Sequence, residues 1–174
     1  TDSKNLAHRA FELRYHGKSF DGVNYKLGYN SQMSSITAAV LLIKLQYEKK
    51  NKQRRKEIAK SYINEFENYE IKTPPRAKGN NHVYHKFVVR TNYRNILKKY
   101  LYENGIQTFV YYAIPLPKLP LFSKIANKAY WTNASNLSRT VLGLPIHAYL
   151  KDNEVNKVIN VTKKFFTDKR NYKK

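Results

Sequence analysis

Few side chains in this sequence have reactive chemistry to offer. No cysteine is present, which excludes disulfides, thiolate metal ligands and a cysteine nucleophile. What remains is an amide in a glycine turn (Gly28-Tyr29-Asn30), a tandem pair of tyrosines (Tyr111-Tyr112), a histidine two residues past a proline (Pro145-Ile146-His147) and an early lysine (Ser3-Lys4-Asn5-Leu6). Each also has a purely structural reading. Asn30 can hold a left-handed turn, the tyrosines can pack in a sheet, His147 can close a strand end, and Lys4 can lie on a helix surface. Charge is the other source of chemistry, with 33 Lys and Arg against 12 Asp and Glu, a formal net of +21. Such an excess favours polyanions, whether nucleic acid, an anionic membrane or an acidic partner. The basic residues are nevertheless scattered, with blocks only at 49–56 and 163–174. The abundance of Lys, Asn, Tyr and Ile matches A/T-rich codons, although that bias would also supply Glu. Nucleic acid is therefore not the favoured partner.

The elements that must position these groups are legible in part. A chain of 174 residues, 26% charged and 41% hydrophobic, has the balance of one globular domain with a real core. No apolar run approaches a membrane span, and no basic segment followed by an apolar one marks a secretory leader, so a cytoplasmic protein is expected. The first residue is Thr1, which leaves open what lies upstream. The sequons at Asn133, Asn136 and Asn160 carry little weight without secretion.

The longest signal runs from Gly28 to Phe66, with no Pro or Gly after the opening turn. Ile36 to Leu45 is apolar nearly all round, which predicts a helix buried on several sides. Further on the pattern becomes one-sided, with Ile58, Ala59, Tyr62, Ile63 and Phe66 on one stripe. About thirty helical residues at ~1.5 Å each give ~45 Å, a length that bridges two bodies of structure. Before it, residues 2–15 read as a helix with Leu6, Ala10 and Leu13 on its apolar stripe and Gly17 just past its end. After it come a loop from Thr73-Pro74-Pro75 to Asn81, a strand over His82–Arg90, and a helix capped by Asn92 or Asn95 that buries Ile96, Leu97, Tyr100 and Leu101 and stops at Gly105. Ile106–Ala113 reads as a second strand, interrupted by Pro115, Pro117 and Pro120. Short helices near Leu121–Lys128 and Asn133–Arg139 precede a short strand, Val141–Leu144. The last helix is capped by Asp152 and lined by Val155, Val158, Ile159, Phe165 and Phe166. Strands interleaved with helices on this scale make a small α/β (or α+β) layer.

In this order the motifs resemble the C-terminal half of the DegT/DnrJ/EryC1/StrS family of pyridoxal-phosphate-dependent sugar aminotransferases. Thr1-Asp2 through Leu13-Arg14-Tyr15-His16-Gly17 is similar to that family's "TND…ELA…LRNHG". Gly28 to Met33 is similar to "GYNxRM", and Arg54-Arg55 with Tyr62 to "RR…Y". His82-Val83-Tyr84-His85 matches "HVYH", Gly105 to Leu116 matches "GIxTxVHY…PL", and Asn133-Ala134 to His147 matches "NAE…LS…LPIH". Each motif alone is weak; six in the right order are strong.

The resemblance implies the C-terminal domain of a fold-type-I aminotransferase, a long bridging helix leading into a small sheet covered by helices. Residues 1–34 would be the end of the large domain and a connecting loop, 35–68 the interdomain helix, and 69–174 the small C-terminal domain. It implies that Asn30 hydrogen-bonds the cofactor phosphate across a dimer, an apt role because an amide NH₂ is a neutral donor to phosphate oxygen. Tyr112 and His147 would lie near the nucleotide-sugar substrate. It also places the Schiff-base lysine, the acid at the pyridinium nitrogen and the ring-stacking group upstream of Thr1. Lys4 mimics the family's lysine-asparagine-leucine site, but it stands only a few residues before Leu13-Arg14 and reads as a surface lysine. No catalytic residue and no metal site is therefore expected in this chain, and pyridoxal phosphate is expected only in a complete enzyme.

Departures from the family pattern cluster near the implied pocket. Gln32 stands in place of Arg, Tyr111 and Pro117 in place of His, and Thr132 and Ser135 in place of the Pro and Glu of "PNAE". Three functions stay open. The chain is part of an aminotransferase completed by a second copy or by an N-terminal half, transferring an amino group from glutamate to a keto-sugar nucleotide. It is a non-catalytic dimerisation or interaction module of the same ancestry. Or it is a basic polyanion-binding protein.

Overall fold

A computed structural model describes residues 1–75, 79–122 and 131–168. Among them are five α-helices, α1 (Lys4–Arg14), α2 (Ser35–Phe66), α3 (Arg94–Glu103), α4 (Thr132–Thr140) and α5 (Asp152–Thr167), and two strands, β1 (Phe87–Arg90) and β2 (Val141–Leu144). This is the α/β class expected from the sequence. The chain divides into two compact units, Thr1–Glu48 and Lys49–Lys174, and the division falls inside α2.

The first unit is built on a close crossing of backbone. α1 ends at Arg14, Tyr15 stands at its C-cap and His16 takes a positive φ of 55°. Gly17 follows at φ 71° and donates its N–H to the Glu12 carbonyl at 2.8 Å. A Cβ at Gly28 would lie 2.1 Å from the Gly17 nitrogen, and one at Gly17 would lie 1.7 Å from the Lys26 carbonyl oxygen. Only two glycines allow that approach. It is secured by bridges between Tyr15 and Asn30 and between Lys18 and Asn24. The stripe predicted for α1 is not its buried face: Leu6 and Leu13 are exposed, and the buried residue is Glu12. Its carboxylate accepts a hydrogen bond from Lys26 Nζ at 2.8 Å and faces His8 Nδ1 at 3.3 Å. These partners hold its pKa below the ordinary carboxylate value, the Lys26 hydrogen bond being the main cause.

This chain does not by itself bury Ile36–Leu45. The segment is helical, but Ile36, Val40, Leu41, Leu42, Ile43 and Leu45 are all exposed. An all-round apolar pattern shows only that a segment can be covered on every side; the covering must come from other chain.

The second unit holds the core. Ile58, Ala59, Tyr62 and Phe66 of α2 are buried with Phe87 and Val89 of β1, Leu97 and Leu101 of α3, Leu142 and Leu144 of β2, and Val155, Val158, Ile159, Phe165 and Phe166 of α5. β1 and β2 pair antiparallel with Phe87 opposite Leu144 and Arg90 opposite Val141. Single bridges widen this ribbon on both edges, Lys72 to Arg90 and Phe109 to Gly143. The strand predicted over Ile106–Ala113 is therefore only a bridge at Phe109, because pairing ends before the proline-rich stretch. The strand predicted from His82 begins at Phe87, since Tyr84 adopts φ 48° and breaks the extended run.

Two cap assignments change as well. Tyr93, not Asn92 or Asn95, is at the start of α3, and its N–H donates to Thr91 Oγ1 at 3.3 Å. α5 is capped by Lys151, whose N–H donates to Glu154 Oε2 at 2.8 Å, half of a capping box, while Asp152 is the first helical residue. Gly105 follows α3 at φ 73°, as its position predicted. The helix expected near Leu121–Lys128 lies largely outside the described residues. Among the described residues no helix is long and apolar enough to cross a membrane.

Candidate functional site

The second half of α2 works as a rack for three loops of the second unit. Its polar residues bind main-chain carbonyls that no regular strand or helix satisfies. Arg54 donates to the Leu150 carbonyl at 2.7 Å and to Asp152 Oδ1 at 2.6 Å, holding the start of α5. Arg55 Nε donates to the Val83 carbonyl at 3.2 Å, and the Tyr62 hydroxyl donates to the Pro145 carbonyl at 3.0 Å. Burial drives the Tyr62 phenol well above its ordinary pKa, so it stays a neutral donor. Lys163 and Glu65, 2.7 Å apart, tie the far end of α5 to α2. The arginines and tyrosine read in the sequence as a motif therefore act as loop holders.

The loops so held surround a cleft of about 470 Å³. Its floor comes from Gly143 to Ile146 at the end of β2 and its walls from Phe109 and Tyr111, from His85 and Lys86 before β1, and from Glu154, Lys157 and Val158 on α5. His147 lines it and is exposed, following directly from the Pro145 and Ile146 that close β2. Tyr111 rather than Tyr112 faces the cleft; Tyr112 is 70% exposed and lies outside its lining, with its ring edge-on to Tyr111 at 5.8 Å. Phe109 is bridged to Gly143, and the Tyr111 ring lies against the same glycine, where no Cβ stands in its way.

Asn30 belongs to the first unit. Its backbone bridges Tyr15, Ser31 N–H donates to the Arg14 carbonyl at 3.0 Å, and its side chain is exposed, engaging none of the described residues. The amide is thus free to donate. Lys4 is the first residue of α1 and is exposed. Among the described residues no cluster of three metal-binding side chains occurs.

Several residues of the cleft were not picked out from the sequence: Lys86, Gln107, Glu154 and Lys157, and His85 in any functional role. His85 lies inside a recognised motif, but nothing in its spacing marked the side chain. Lys86 and Lys157 were lost among 33 basic residues, and only the fold brings both to one cavity.

Comparison with known proteins gives a consistent answer. The sequence model of the DegT/DnrJ/EryC1/StrS aminotransferase family matches residues 1–163. A dTDP-3-amino-3,6-dideoxy-alpha-D-galactopyranose transaminase from Aneurinibacillus thermoaerophilus is 33% identical over 95% of this chain and 45% of its own length. Among solved structures, Streptomyces venezuelae DesV in complex with a ketimine intermediate superposes with a TM-score of 0.92 at 29% identity, covering 97% of this chain and 46% of DesV. Bacillus subtilis NtdA with bound cofactor PMP superposes with a TM-score of 0.83 at 25% identity, covering 97% of this chain and 41% of NtdA. The chain spans a little under half the length of the relatives it matches.

Proposed function

This chain belongs to the DegT/DnrJ/EryC1/StrS aminotransferase family, and we propose that it forms the C-terminal part of a pyridoxal-phosphate-dependent sugar-nucleotide aminotransferase that passes an amino group from glutamate to a keto-sugar nucleotide. The observation that carries this reading is the superposition on DesV, which accounts for 97% of this chain and 46% of that enzyme. On this reading residues 1–34 are the end of the large domain with its connecting loop, 35–68 the interdomain helix and 69–174 the small domain. A cytoplasmic setting goes with it.

Pyridoxal phosphate, when bound, supplies the electron sink through which an amino group changes carriers. This chain contributes binding and orientation. Asn30 is the residue that would hold the phosphate, across a dimer, through an amide N–H with no competing partner in its own unit. The charge-neutral donor suits an oxygen that already carries the anion. In the second unit His147 and Tyr112 would contact the substrate, His147 from the lining of the cleft. The backbone carbonyls held by Arg55, Tyr62 and Arg54 keep the loops on which His85, His147 and the start of α5 sit from drifting. A positioned cleft of this kind converts binding into orientation.

The exposed apolar residues of Ile36–Leu45 need cover, and on this reading they receive it from the remainder of the enzyme, a complementary N-terminal half or a second copy. The test is to co-express the chain with the N-terminal half of a family relative, purify in excess pyridoxal phosphate, reduce with borohydride and map the adduct. The expected result is a retained cofactor with the adduct on the supplied half, and retention that drops on Asn30→Ala. An adduct on Lys4, or on any other lysine of this chain, would overturn the placement of the cofactor lysine outside it. A stable complex that retains no cofactor would instead favour a non-catalytic interaction module, the reading supported by the same exposed face.

A further inference from the structure

Glu12 stands in the last turn of α1, the end at which the aligned peptide dipoles disfavour a negative charge, and it is only 5% exposed. A carboxylate buried there is costly unless it is paired. Its main partner comes from a different stretch of chain: Lys26 Nζ donates to Oε2 at 2.8 Å, while His8 on the same helix places Nδ1 3.3 Å from Oε1. Lys26 is confined at its backbone as well, because its carbonyl oxygen lies 1.7 Å from where a Cβ on Gly17 would stand.

From Lys26 the chain runs back over the end of α1. Tyr29 N–H donates to the Leu13 carbonyl at 2.7 Å, His16 N–H to the Tyr29 carbonyl at 3.0 Å, and Ser31 N–H to the Arg14 carbonyl at 3.0 Å. Leu13 and Arg14 belong to the last turn, whose carbonyls a helix leaves unpaired. The backbone is thus held on both sides of Asn30, and the Asn30 side chain is left exposed. Apolar burial does little to choose the register of this segment. Tyr25, Leu27 and Tyr29 are all exposed, and so is Phe20, although its ring stacks on Phe11 at 4.6 Å. The glycine crossing permits the close approach, and Asn24 Nδ2 adds a bond to the His16 carbonyl at 2.8 Å. Lys26 is the residue that ties the segment to a side chain of the helix.

We propose that Glu12 and Lys26 are positioning residues for Asn30: their ion pair fixes the register of Tyr29–Ser31 on the end of α1, and with it the presentation of the Asn30 amide. The proposal rests on reading Asn30 as the donor to the cofactor phosphate. Neither Glu12 nor Lys26 needs to reach the cofactor; both act through Asn30.

The first measurement uses the chain alone. In Lys26→Met, amide hydrogen exchange at Tyr29 and Ser31 is expected to rise about tenfold, the scale of one hydrogen bond to a charged group. The rise at Ala10 and Phe11, inside α1, should be smaller. Lys26→Arg keeps a cation on the carboxylate and should stay near the parent rates. Lys4→Met, an exposed lysine at the start of the same helix, serves as the control and should change exchange less than about twofold.

The second measurement is the dissociation constant of pyridoxal phosphate in the complex with a relative's N-terminal half. Lys26→Met should weaken it several-fold. With Asn30→Ala already present, the same substitution should change it less than about twofold, because effects that pass through one group do not add. Equal weakening in both backgrounds would overturn the proposal. So would exchange that rises equally at Ala10 and Tyr29, or that does not rise at Tyr29 and Ser31. Failure of the underlying reading looks different: Asn30→Ala alone then leaves the affinity unchanged, and the proposal falls with it.

Discussion

Helix α2 carries two apolar stretches with opposite fates. Ile58, Ala59, Tyr62 and Phe66 have almost no exposed surface, whereas Ile36 is 80% exposed and Leu42 65%. The residue types hardly differ. What differs is geometry: the later stretch is one-sided, so the core of the second unit, where Tyr62 meets Phe87 of β1, covers it, while the earlier one needs neighbours on several faces. A second contrast follows the same line. The second unit is held by a hydrophobic core, and the first by a backbone crossing of Gly17 and Gly28 with one buried carboxylate. Hydrophobic burial grows with area removed from water, so the first unit depends more on exact backbone fit and on charge.

The sharpest way to break the comparison is a pair of truncations in α2. Tyr62→Ala removes a fully buried ring and the hydrogen bond to the Pro145 carbonyl, and should cost about 3–5 kcal/mol in urea unfolding of this chain. Leu42→Ala should stay within about 0.5 kcal/mol, because its side chain is already in water. Similar losses at both sites would show that the earlier stretch is buried in solution.

The next effect is expected at the glycine crossing. Gly28→Ala places a methyl 2.1 Å from the Gly17 nitrogen and should destabilise the first unit by more than about 1 kcal/mol. Gly79→Ala, where nothing lies within 4 Å of an added Cβ although φ is 84°, should cost less. Amide exchange read separately over residues 13–31 and 87–106 checks that the Gly28→Ala damage stays in the first unit.

The smallest and most telling effect is on pH. Glu12 has its folded pKa lowered from 4.5, chiefly by the Lys26 hydrogen bond. The stability it contributes is complete above that ordinary value and is lost as pH falls through the lower folded one. Tyr62, raised above its ordinary 10.0 by burial, and Lys163, raised above 10.5 chiefly by its hydrogen bond to Glu65, act at the other end. Their contributions are complete below the unfolded values and fade as pH rises toward the folded ones. Tyr25 of the first unit is also raised above 10.0, chiefly by its hydrogen bond to Asp21, so alkali should act on both units, whereas acid should loosen the first unit before the second, as followed by residue-resolved exchange. Lys26→Met should remove the share of that acid sensitivity that comes from Glu12 and leave the share from Asp21, which rests on the Val23 N–H and the Tyr25 hydroxyl. Loss of both units together in acid would refute the assignment.

The periodicity of α2, α3 and α5 was legible because one apolar stripe per helix meets one core, and β2 because proline closes it. The strand expected over Ile106–Ala113 was not readable as a single bridge, since strand length depends on what lies opposite. Asn30 and His147 were singled out by motif, and the structure leaves both side chains exposed, with His147 at a cleft.

From the sequence alone came the class of the fold, the family by ordered motifs, and the lack of any thiol chemistry, because composition, periodicity and spacing are properties of the chain by itself. Only the tertiary structure decided that the Ile36–Leu45 face finds no cover among the described residues of this chain, that Tyr111 rather than Tyr112 turns inward, and that Lys86 and Lys157 share one cavity. Burial and charge proximity are relations between segments distant in sequence, and a single lysine among 33 carries no mark of which neighbours it will meet.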